Sequence, residues 1–530
     1  MKKALAALMA LLMALSLAAC GSGSSPAPAA ATNPDSGSAP AATAAPAPAK
    51  KTTITYMVTG DVPTNKTMTD VLPKVNELLG AKFNAELNVK WIEWTDYLSK
   101  YNLELASQDG NLDLIGTATD WLDAWPNTQR GAFLPLSEEM LKANAPLTYA
   151  QVPADHWDLC KYDGQIYLLP EDNFAQWTNH GFMYRGDWAK EAGLANGVHS
   201  WDQLGQYFGY VKSAKPDTIP WDAKPDASLV AQLSGGWLAS HTKNIYIEGL
   251  RVDLFFGNSA SDPYTVSNYF LEGSEFENFA KNQKAWSDAG YWKEDVLNNT
   301  TIDTRQEMHE ALSGADQHHS MTYYGGEAKR MEEYQPGSDL GFFWFGEEQG
   351  NVVSLNITHG AMAIAARSKS PELALQIYDY IRNDPEAYHL FNYGIEGQQY
   401  VLAADGKTYT RPEGFVEDTD GAGFNYWWGR NDDLEFVGPL TDIPKKEILE
   451  AEYDKVSIVY PYGKAVFNLD SISAELDNLS NLYNTYMPQI VYGKAADPVA
   501  YVAEFREKLK TAGYEKCIAE VNAQLAATYK

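Results

Sequence analysis

Cysteine is scarce in this sequence, with three residues in a chain of 530. One of them, Cys20, lies near the N-terminus, so only Cys160 and Cys517 remain for the rest of the chain. Two cysteines cannot form the disulfide framework on which small secreted domains depend. A single bridge between Cys160 and Cys517 stays open at this point, and we expect both thiols to be free.

Basic residues and long apolar runs are also few. Asp and Glu number 70 against 41 Lys and Arg, so the formal charge is −29 at pH 7. Such a chain is repelled by phosphates, and we therefore expect no binding to nucleic acid. Beyond the first residues no apolar run is long enough to span a bilayer.

Catalytic and cofactor motifs are missing as well. The sequence has no Gly-x-Ser-x-Gly elbow, no P-loop and no Gly-x-Gly-x-x-Gly after a strand. His309-Glu310 lacks the second histidine of a zinc-protease helix, and His318-His319 have no third ligand in register, so we interpret both pairs as surface or loop histidines. We expect no cofactor and no metal.

The N-terminus has the pattern of a bacterial lipoprotein signal. Lys2 and Lys3 precede a short apolar stretch, and Leu-Ala-Ala-Cys-Gly ends it at residues 17–21. We predict a signal peptide over residues 1–19 and attachment of lipid to Cys20. The protein would then be a lipoprotein on the extracellular face of the cell membrane, held by acyl chains such as palmitate.

Residues 20–51 are almost entirely Ala, Pro, Ser, Gly and Thr after the cysteine. This composition cannot bury a core, and it is typical of an extended linker. Globular composition begins at about residue 52. The sequence thus predicts a folded region set away from the membrane by a tether.

The start of the globular region alternates strands and helices. Strand candidates at 53–58, 86–91 and 112–115, the first of them β-branched and aromatic, are separated by amphipathic helical patterns. A β-α-β-α-β order predicts parallel strands in an α/β fold. Ligands of open α/β sheets bind outside the carboxyl ends of the strands. The residues at those ends that we predict to bind ligand are Asp61, Trp94, Asp120 and Trp121.

Two later segments combine aromatic and polar side chains, a pairing that suits sugars because ring C–H faces stack on aromatics and hydroxyls need polar partners. The first segment contributes Glu171, Asn173 and Trp177 to the predicted site, and the second contributes Trp427, Trp428 and Arg430. For Trp427 and Trp428, packing into a core is the alternative.

Several stretches in order along the chain resemble the extracellular solute-binding proteins of ABC importers, of the family 1 lipoprotein type. They include Tyr-Asp-Gly-Gln-Ile-Tyr-Leu-Leu-Pro at 162–170, Met-Tyr-Arg-Gly-Asp-Trp at 183–188 and Tyr-Gly-Ile-Glu-Gly at 393–397. The resemblance implies a two-lobed periplasmic-binding-protein-like α/β fold with a ligand cleft between lobes and crossover hinge segments. It also implies that Tyr323 or Tyr324 faces the cleft, on a short strand that runs into a loop.

On this resemblance we predict an N-terminal lobe from residues 52–169 and 316–375, and a C-terminal lobe from residues 170–315 and 376–530. The expected function is capture of an oligosaccharide and delivery to ABC permease subunits, by a monomer that is not an enzyme. Two alternatives stay open, a surface glycoside hydrolase and a binding protein for peptides or another polar solute. The sequence leaves the identity of the sugar open.

Overall fold

The computed structural model describes residues 50–173 and 179–529. The strands, in chain order, are β1 (Thr52–Thr59), β2 (Ala85–Ile92), β3 (Leu114–Thr117), β4 (Lys161–Tyr162), β5 (Gln165–Ile166), β6 (Leu169–Pro170), β7 (His180–Tyr184), β8 (Ile245–Tyr246), β9 (Phe256–Ser259), β10 (Asp262–Val266), β11 (Ala315–His319), β12 (Gly341–Trp344), β13 (Ala361–Ile364), β14 (Val401–Leu402) and β15 (Tyr409–Thr410).

The helices, in chain order, are α1 (Leu72–Phe83), α2 (Tyr97–Ser107), α3 (Ala124–Gln129), α4 (Glu138–Asn144), α5 (Pro146–Gln151), α6 (Gly186–Glu191), α7 (Trp201–Ala214), α8 (Ala227–His241), α9 (Glu275–Asp288), α10 (Thr304–His309), α11 (Ser320–Thr322), α12 (Ala328–Tyr334), α13 (Pro371–Asn383), α14 (Pro385–Tyr393), α15 (Glu417–Asp420), α16 (Ile443–Tyr453), α17 (Ser473–Val491), α18 (Pro498–Thr511) and α19 (Tyr514–Tyr529).

The first lobe is built on a five-stranded sheet in the order β2-β1-β3-β13-β6. Strand β1 pairs in parallel with β2 on one side and with β3 on the other. The predicted β-α-β-α-β unit is confirmed, because α1 and α2 connect these parallel strands. Strand β13 then adds antiparallel to both β3 and β6.

Local sequence explains the order of this unit. Strand β1 is Thr-Thr-Ile-Thr-Tyr-Met-Val-Thr, a β-branched and aromatic run that suits a pleated sheet. Helix α1 buries Val75 and Leu79 against the sheet and ends at Asn84, whose φ of 51° lies in the left-handed region. Helix α2 buries Tyr101 and Leu105 in the same core. The carboxyl ends of β1, β2 and β3 therefore meet at one edge of the first lobe.

The second lobe is centred on the antiparallel sheet β11-β7-β12. Its larger core joins this sheet to helices from the middle of the chain and to the C-terminal helices α17, α18 and α19. A smaller core on the other face of the sheet takes in Met331 of α12 and Leu449 of α16. Cys160 in the first lobe and Cys517 in the second are both free and buried.

The distribution of the chain between lobes differs from the predicted division in two places. Strands β11 and β12, placed by the prediction in the N-terminal lobe, pair with β7 in the second lobe. Helix α14 and Trp428, placed in the C-terminal lobe, pack in the core of the first. The chain therefore crosses between β6 and β7, between β12 and β13, and again between Leu434 and α16. A short apolar strand has the same sequence pattern in either lobe, so the sequence does not reveal the extra crossing of the chain between lobes.

Candidate functional site

A cleft of about 620 Å³ lies between the two lobes, beside the carboxyl ends of β2 and β3. This is where open α/β sheets bind ligands. The first lobe lines it with Trp94, Asp120, Trp121, Glu171, His359, Trp427 and Arg430, and the facing side chains include Asn179, His180, Ser228, Gln232, His318, His319, Met321 and Val353.

Three indole rings form one wall of the cleft, which we call the tryptophan wall (Trp94, Trp121 and Trp427). The ring centroid of Trp94 lies 6.0 Å from that of Trp121 and 6.2 Å from that of Trp427, with interplanar angles of 27° in both pairs. Trp94 is 39% exposed and Trp427 is 43% exposed. Large exposed apolar rings that lie together mark a binding surface. Their faces suit the C–H faces of a sugar ring.

Trp428 supports this wall from inside the first lobe. It is fully buried, and its ring lies 6.4 Å from that of Trp121. A Cβ at Gly116 would come within 2.6 Å of the Trp428 indole, so only glycine on β3 allows this close approach. The two adjacent tryptophans therefore divide, with Trp427 facing the cleft and Trp428 in the core.

Charged groups lie along the edge of the tryptophan wall. The Nδ1 atom of His359 lies 2.6 Å from Asp120 Oδ2. Burial would lower the pKa of His359, but the carboxylate of Asp120, helped by Glu171 and Glu248, raises it to about 9. His359 is thus an imidazolium at neutral pH, held in the cleft by its acidic neighbours.

Glu171 behaves differently from Asp120. Burial raises the pKa of its carboxyl to about 7, although Arg430, 3.8 Å away, favours the charged form. Glu171 Oε1 and Asp120 Oδ1 are both buried without a hydrogen-bond partner among the described residues. Buried polar atoms normally have partners. These two oxygens are therefore suited to accept hydrogen bonds from a ligand that enters the cleft.

The second lobe contributes a cluster of imidazoles, which we call the histidine cluster (His180, His318 and His319). Their ring centroids lie 4.2 Å apart for His318 and His319, and 5.8 Å from His180 to each of them. Burial lowers the pKa of His180 to about 3, of His318 to about 2 and of His319 to about 4. Neutral imidazoles both donate and accept hydrogen bonds, as hydroxyls do.

Replacing Asp120 with Asn is expected to lower the pKa of His359 from about 9 toward its ordinary value near 6.5, because burial then opposes the charge with less compensation. A nuclear magnetic resonance titration of the imidazole measures this change. The matched control is Asp158→Asn, which removes an exposed carboxylate paired with Lys161. An unchanged His359 titration in Asp120→Asn would show that Asp120 does not hold the proton.

The structure places only part of the predicted site in the cleft. Trp94, Asp120, Trp121, Glu171, Trp427 and Arg430 line it. Asp61 lies beside it and accepts a hydrogen bond from the Trp94 backbone N–H, at 3.3 Å. Asn173 donates to Asp432 at 2.8 Å. Trp177 and Cys20 lie outside the described residues.

Tyr323 and Tyr324 do not face the cleft, because residues after β11 continue as helix and not as a strand and loop. His319 begins this helix, since its Nδ1 accepts the N–H of Thr322. The turn directs both tyrosines into the smaller core of the second lobe, where Tyr323 stacks on Phe342 at 5.1 Å.

The histidines that line the cleft were not predicted as site residues from the sequence. The interpretation of His318 and His319 as surface or loop residues is wrong, since both are half-buried on β11 and line the cleft. Local sequence gave no signal for them, since β11 is Ala-Asp-Gln-His-His and shows no alternation of apolar and polar residues. His359 could not be found from local sequence, because its partner Asp120 is 239 residues away.

Among the described residues, no three His, Cys, Asp or Glu side chains are grouped so that they could hold a metal ion. None of the helices within 50–173 and 179–529 is both long enough and apolar enough to cross a bilayer.

Comparisons with known proteins agree with this architecture. Residues 461–530 match a family described as a domain of unknown function, DUF3502. A carbohydrate ABC transporter substrate-binding protein of Streptococcus pneumoniae is 25% identical over 481 residues, which is 88% of either chain.

Solved structures show the same fold. The N-glycan transport solute-binding protein NgtS of S. pneumoniae, in complex with Man1GlcNAc, has a TM-score of 0.68 at 20% identity, over 90% of this chain and 99% of that chain. An HMO-binding solute-binding protein of Bifidobacterium longum infantis has a TM-score of 0.57 at 13% identity, over 91% and 100% of the two chains. These likenesses confirm the two-lobed α/β fold, and with the curated relative they confirm that the chain resembles the extracellular solute-binding proteins of ABC importers.

Proposed function

We propose that this protein is an extracellular receptor that captures an oligosaccharide between its lobes and delivers it to the permease of an ABC importer. The observation that carries the proposal is the tryptophan wall facing polar groups of both lobes across one cleft. Stacking supplies affinity for sugar rings, and His359, Glu171 and the histidine cluster supply hydrogen-bond partners for hydroxyls.

The relatives support the same ligand class. The curated relative is named for carbohydrate transport, and the NgtS structures hold Man1GlcNAc and Man5GlcNAc. A mannose-containing glycan is accordingly the first ligand to test. The protein in this proposal binds its ligand and breaks no bond in it.

Delivery requires that the ligand favour one arrangement of the lobes. Because the tryptophan wall and the histidine cluster belong to different lobes, a ligand that contacts both stabilises the closed form more than the open form. The permease would then recognise the closed form. Our proposal treats the receptor as a monomer, since one chain supplies both sides of the cleft.

The proposed location of the protein is the outer face of the cell membrane. A signal peptide over 1–19 and lipid on Cys20 would anchor the chain, and residues 20–51 would form the tether. A tether raises the effective concentration of a receptor at its permease while leaving the lobes free to move.

A panel of neutral glycans that includes Man1GlcNAc and Man5GlcNAc tests this function by thermal unfolding. We expect at least one glycan to raise the melting temperature in a saturable way; at a concentration of about 100 Kd the stabilisation is about 2.7 kcal/mol. The same samples are assayed for new reducing ends, which we expect to be absent.

Two outcomes would contradict the receptor proposal. Catalytic release of reducing ends would support a glycoside hydrolase, for which a carboxyl with a raised pKa such as Glu171 could be the acid. Stabilisation by a peptide library and by no glycan would support a peptide-binding protein. Maltose and free mannose serve as small-sugar controls for length dependence.

A further inference from the structure

Three cavities meet at His180. One is the cleft itself, and His180 lines it. The second, of about 410 Å³, shares His180, Ser228 and His318 with the cleft. The third, of about 240 Å³, shares Asn179, His180, Gln232 and Val353 with the cleft. We call this third cavity the α8 side pocket, since Ala231, Gly235 and Ala239 of α8 form one wall of it.

The α8 side pocket, of about 240 Å³, is far larger than a space for a single water molecule. A cavity needs only ~15 Å³ to hold one water molecule. Its walls combine aromatic rings with polar groups: Tyr246, Phe256, Phe345 and Tyr460 beside Asn244 and Asp253. The hydroxyl of Tyr246 donates to Asp253 Oδ1 at 2.7 Å. Rings and hydrogen-bonding groups together are what a sugar unit requires.

The chemistry of the lining also restricts what can enter. Burial raises the pKa of the Glu248 carboxyl to about 8 and also raises that of Asp253, so burial favours the uncharged form of both groups. Among the described residues that line the pocket there is no Lys or Arg. The carboxylate of a uronic acid or sialic acid unit would therefore lose its water there without gaining a cationic partner, which is unfavourable. The pocket is therefore suited to an uncharged sugar.

The glycine at position 235 of α8 leaves the α8 side pocket open where a side chain would enter it. Glycine in the interior of a helix is unfavourable compared with alanine. At Gly236 the reason is packing, because a Cβ there would lie 2.4 Å from the Phe345 ring. At Gly235 a Cβ would meet no atom within 4 Å, so packing does not require glycine. A side chain at Gly235 would instead reduce the pocket.

We propose that the α8 side pocket binds one uncharged sugar unit of a branched oligosaccharide, and that Gly235 keeps the pocket open for it. A linear chain at a three-way junction fills two arms, whereas a branched chain with its branch point beside His180 fills all three. This inference rests on the proposed function and names the ligand class more closely.

The test compares neutral oligosaccharides that have the same composition but differ in being linear or branched. Linear and branched mannotriose are the first pair. For every glycan that stabilises the protein in the panel, a linear and a branched form are then compared in the same way. Calorimetry on the wild type is expected to give at least about tenfold tighter binding of the branched form in the pairs that bind. In Gly235→Leu that advantage is expected to disappear, while affinity for the linear form stays within about threefold.

Two further variants make the result independent of folding. Gly235→Ala, which a helix interior favours, should raise the melting temperature slightly and reduce the advantage of the branched form in part. Ala500→Leu places the same side chain at an exposed position of α18, and should leave both affinities unchanged. If Gly235→Leu lowers the melting temperature, the comparison rests on Gly235→Ala and on the wild type.

Equal affinity of the wild type for linear and branched forms would overturn the proposal and leave the receptor function standing. An undiminished branched advantage in both Gly235 variants would overturn the assignment of the branch to this pocket. Failure of the wild type to bind any neutral oligosaccharide would instead overturn the proposed function, and the inference with it.

Discussion

Replacing both Trp94 and Trp427 with Ala is expected to weaken binding of the oligosaccharide by about 1000-fold. Tryptophans at the centre of an interface each contribute about 2 kcal/mol or more, and about 4 kcal/mol corresponds to this change in Kd. Stability without ligand should fall by less than it would for a core tryptophan, because both rings are partly exposed. Calorimetry with the glycan that stabilises the wild type measures the affinity, and thermal unfolding measures the stability.

Conservative and distant variants separate stacking from disturbance of the fold. Trp94→Phe with Trp427→Phe keeps two ring faces, so we expect a loss of only about tenfold. Tyr334 lies on α12, is 58% exposed and does not line the cleft. The Tyr334→Ala variant should therefore bind the oligosaccharide with unchanged affinity. Full affinity in the double alanine variant would mean that the sugar rings do not stack on the tryptophan wall.

Part of the site could be predicted because it depends on local sequence. Alternating strands and helices specify a parallel sheet, and a parallel sheet brings its strand ends together. Trp94, Asp120 and Trp121 follow such ends, and the structure places all three in one cleft. The adjacent tryptophans were ambiguous from sequence, since the space that Trp428 occupies depends on Gly116, which lies on a distant strand.

The parts of the fold and of the site that could not be predicted depend on contacts between segments that are distant in sequence. Which lobe a short strand joins is decided by its partner strand, as for β11 and β12 on β7. The tyrosines after β11 turned inward because a side chain, His319, caps a helix there. Two polar pairs of the cleft, His359 with Asp120 and Arg430 with Glu171, join residues more than two hundred positions apart. Periodicity carries no information about such pairs.

The second large effect is expected on acidification. The three imidazoles of the histidine cluster have lowered pKa values in the folded protein, whereas unfolded histidine titrates near 6.5. Between pH 6.5 and about 4 the unfolded chain therefore binds protons that the folded chain does not bind. The contribution of the cluster to the free energy of unfolding therefore falls as the pH falls through this window, by up to about 1.4 kcal/mol per pH unit for each histidine that stays neutral in the fold.

Other groups titrate in the same window, so the effect is measured as a difference between variants. Glu171 has a raised pKa near 7, and its uptake of a proton in the fold opposes the loss of stability. His318→Gln with His319→Gln removes two of the three lowered groups and keeps polar side chains. Its melting temperature should fall less than that of the wild type between pH 7 and pH 4.5.

His199→Gln is the matched control, because its hydrogen bond with Glu347 raises the pKa of His199 to about 9. That variant should lose stability most below pH 6.5, where the raised pKa of His199 contributes in full, and its slope of stability against pH should differ from that of the wild type between pH 6.5 and 9. Identical pH profiles for the wild type and the double glutamine variant would show that the cluster is not what makes the fold acid-sensitive. If the profiles differ as expected, ligand affinity should nevertheless hold through the same acid window, since the imidazoles of the folded cluster stay neutral above about pH 4 and can still accept hydrogen bonds from sugar hydroxyls.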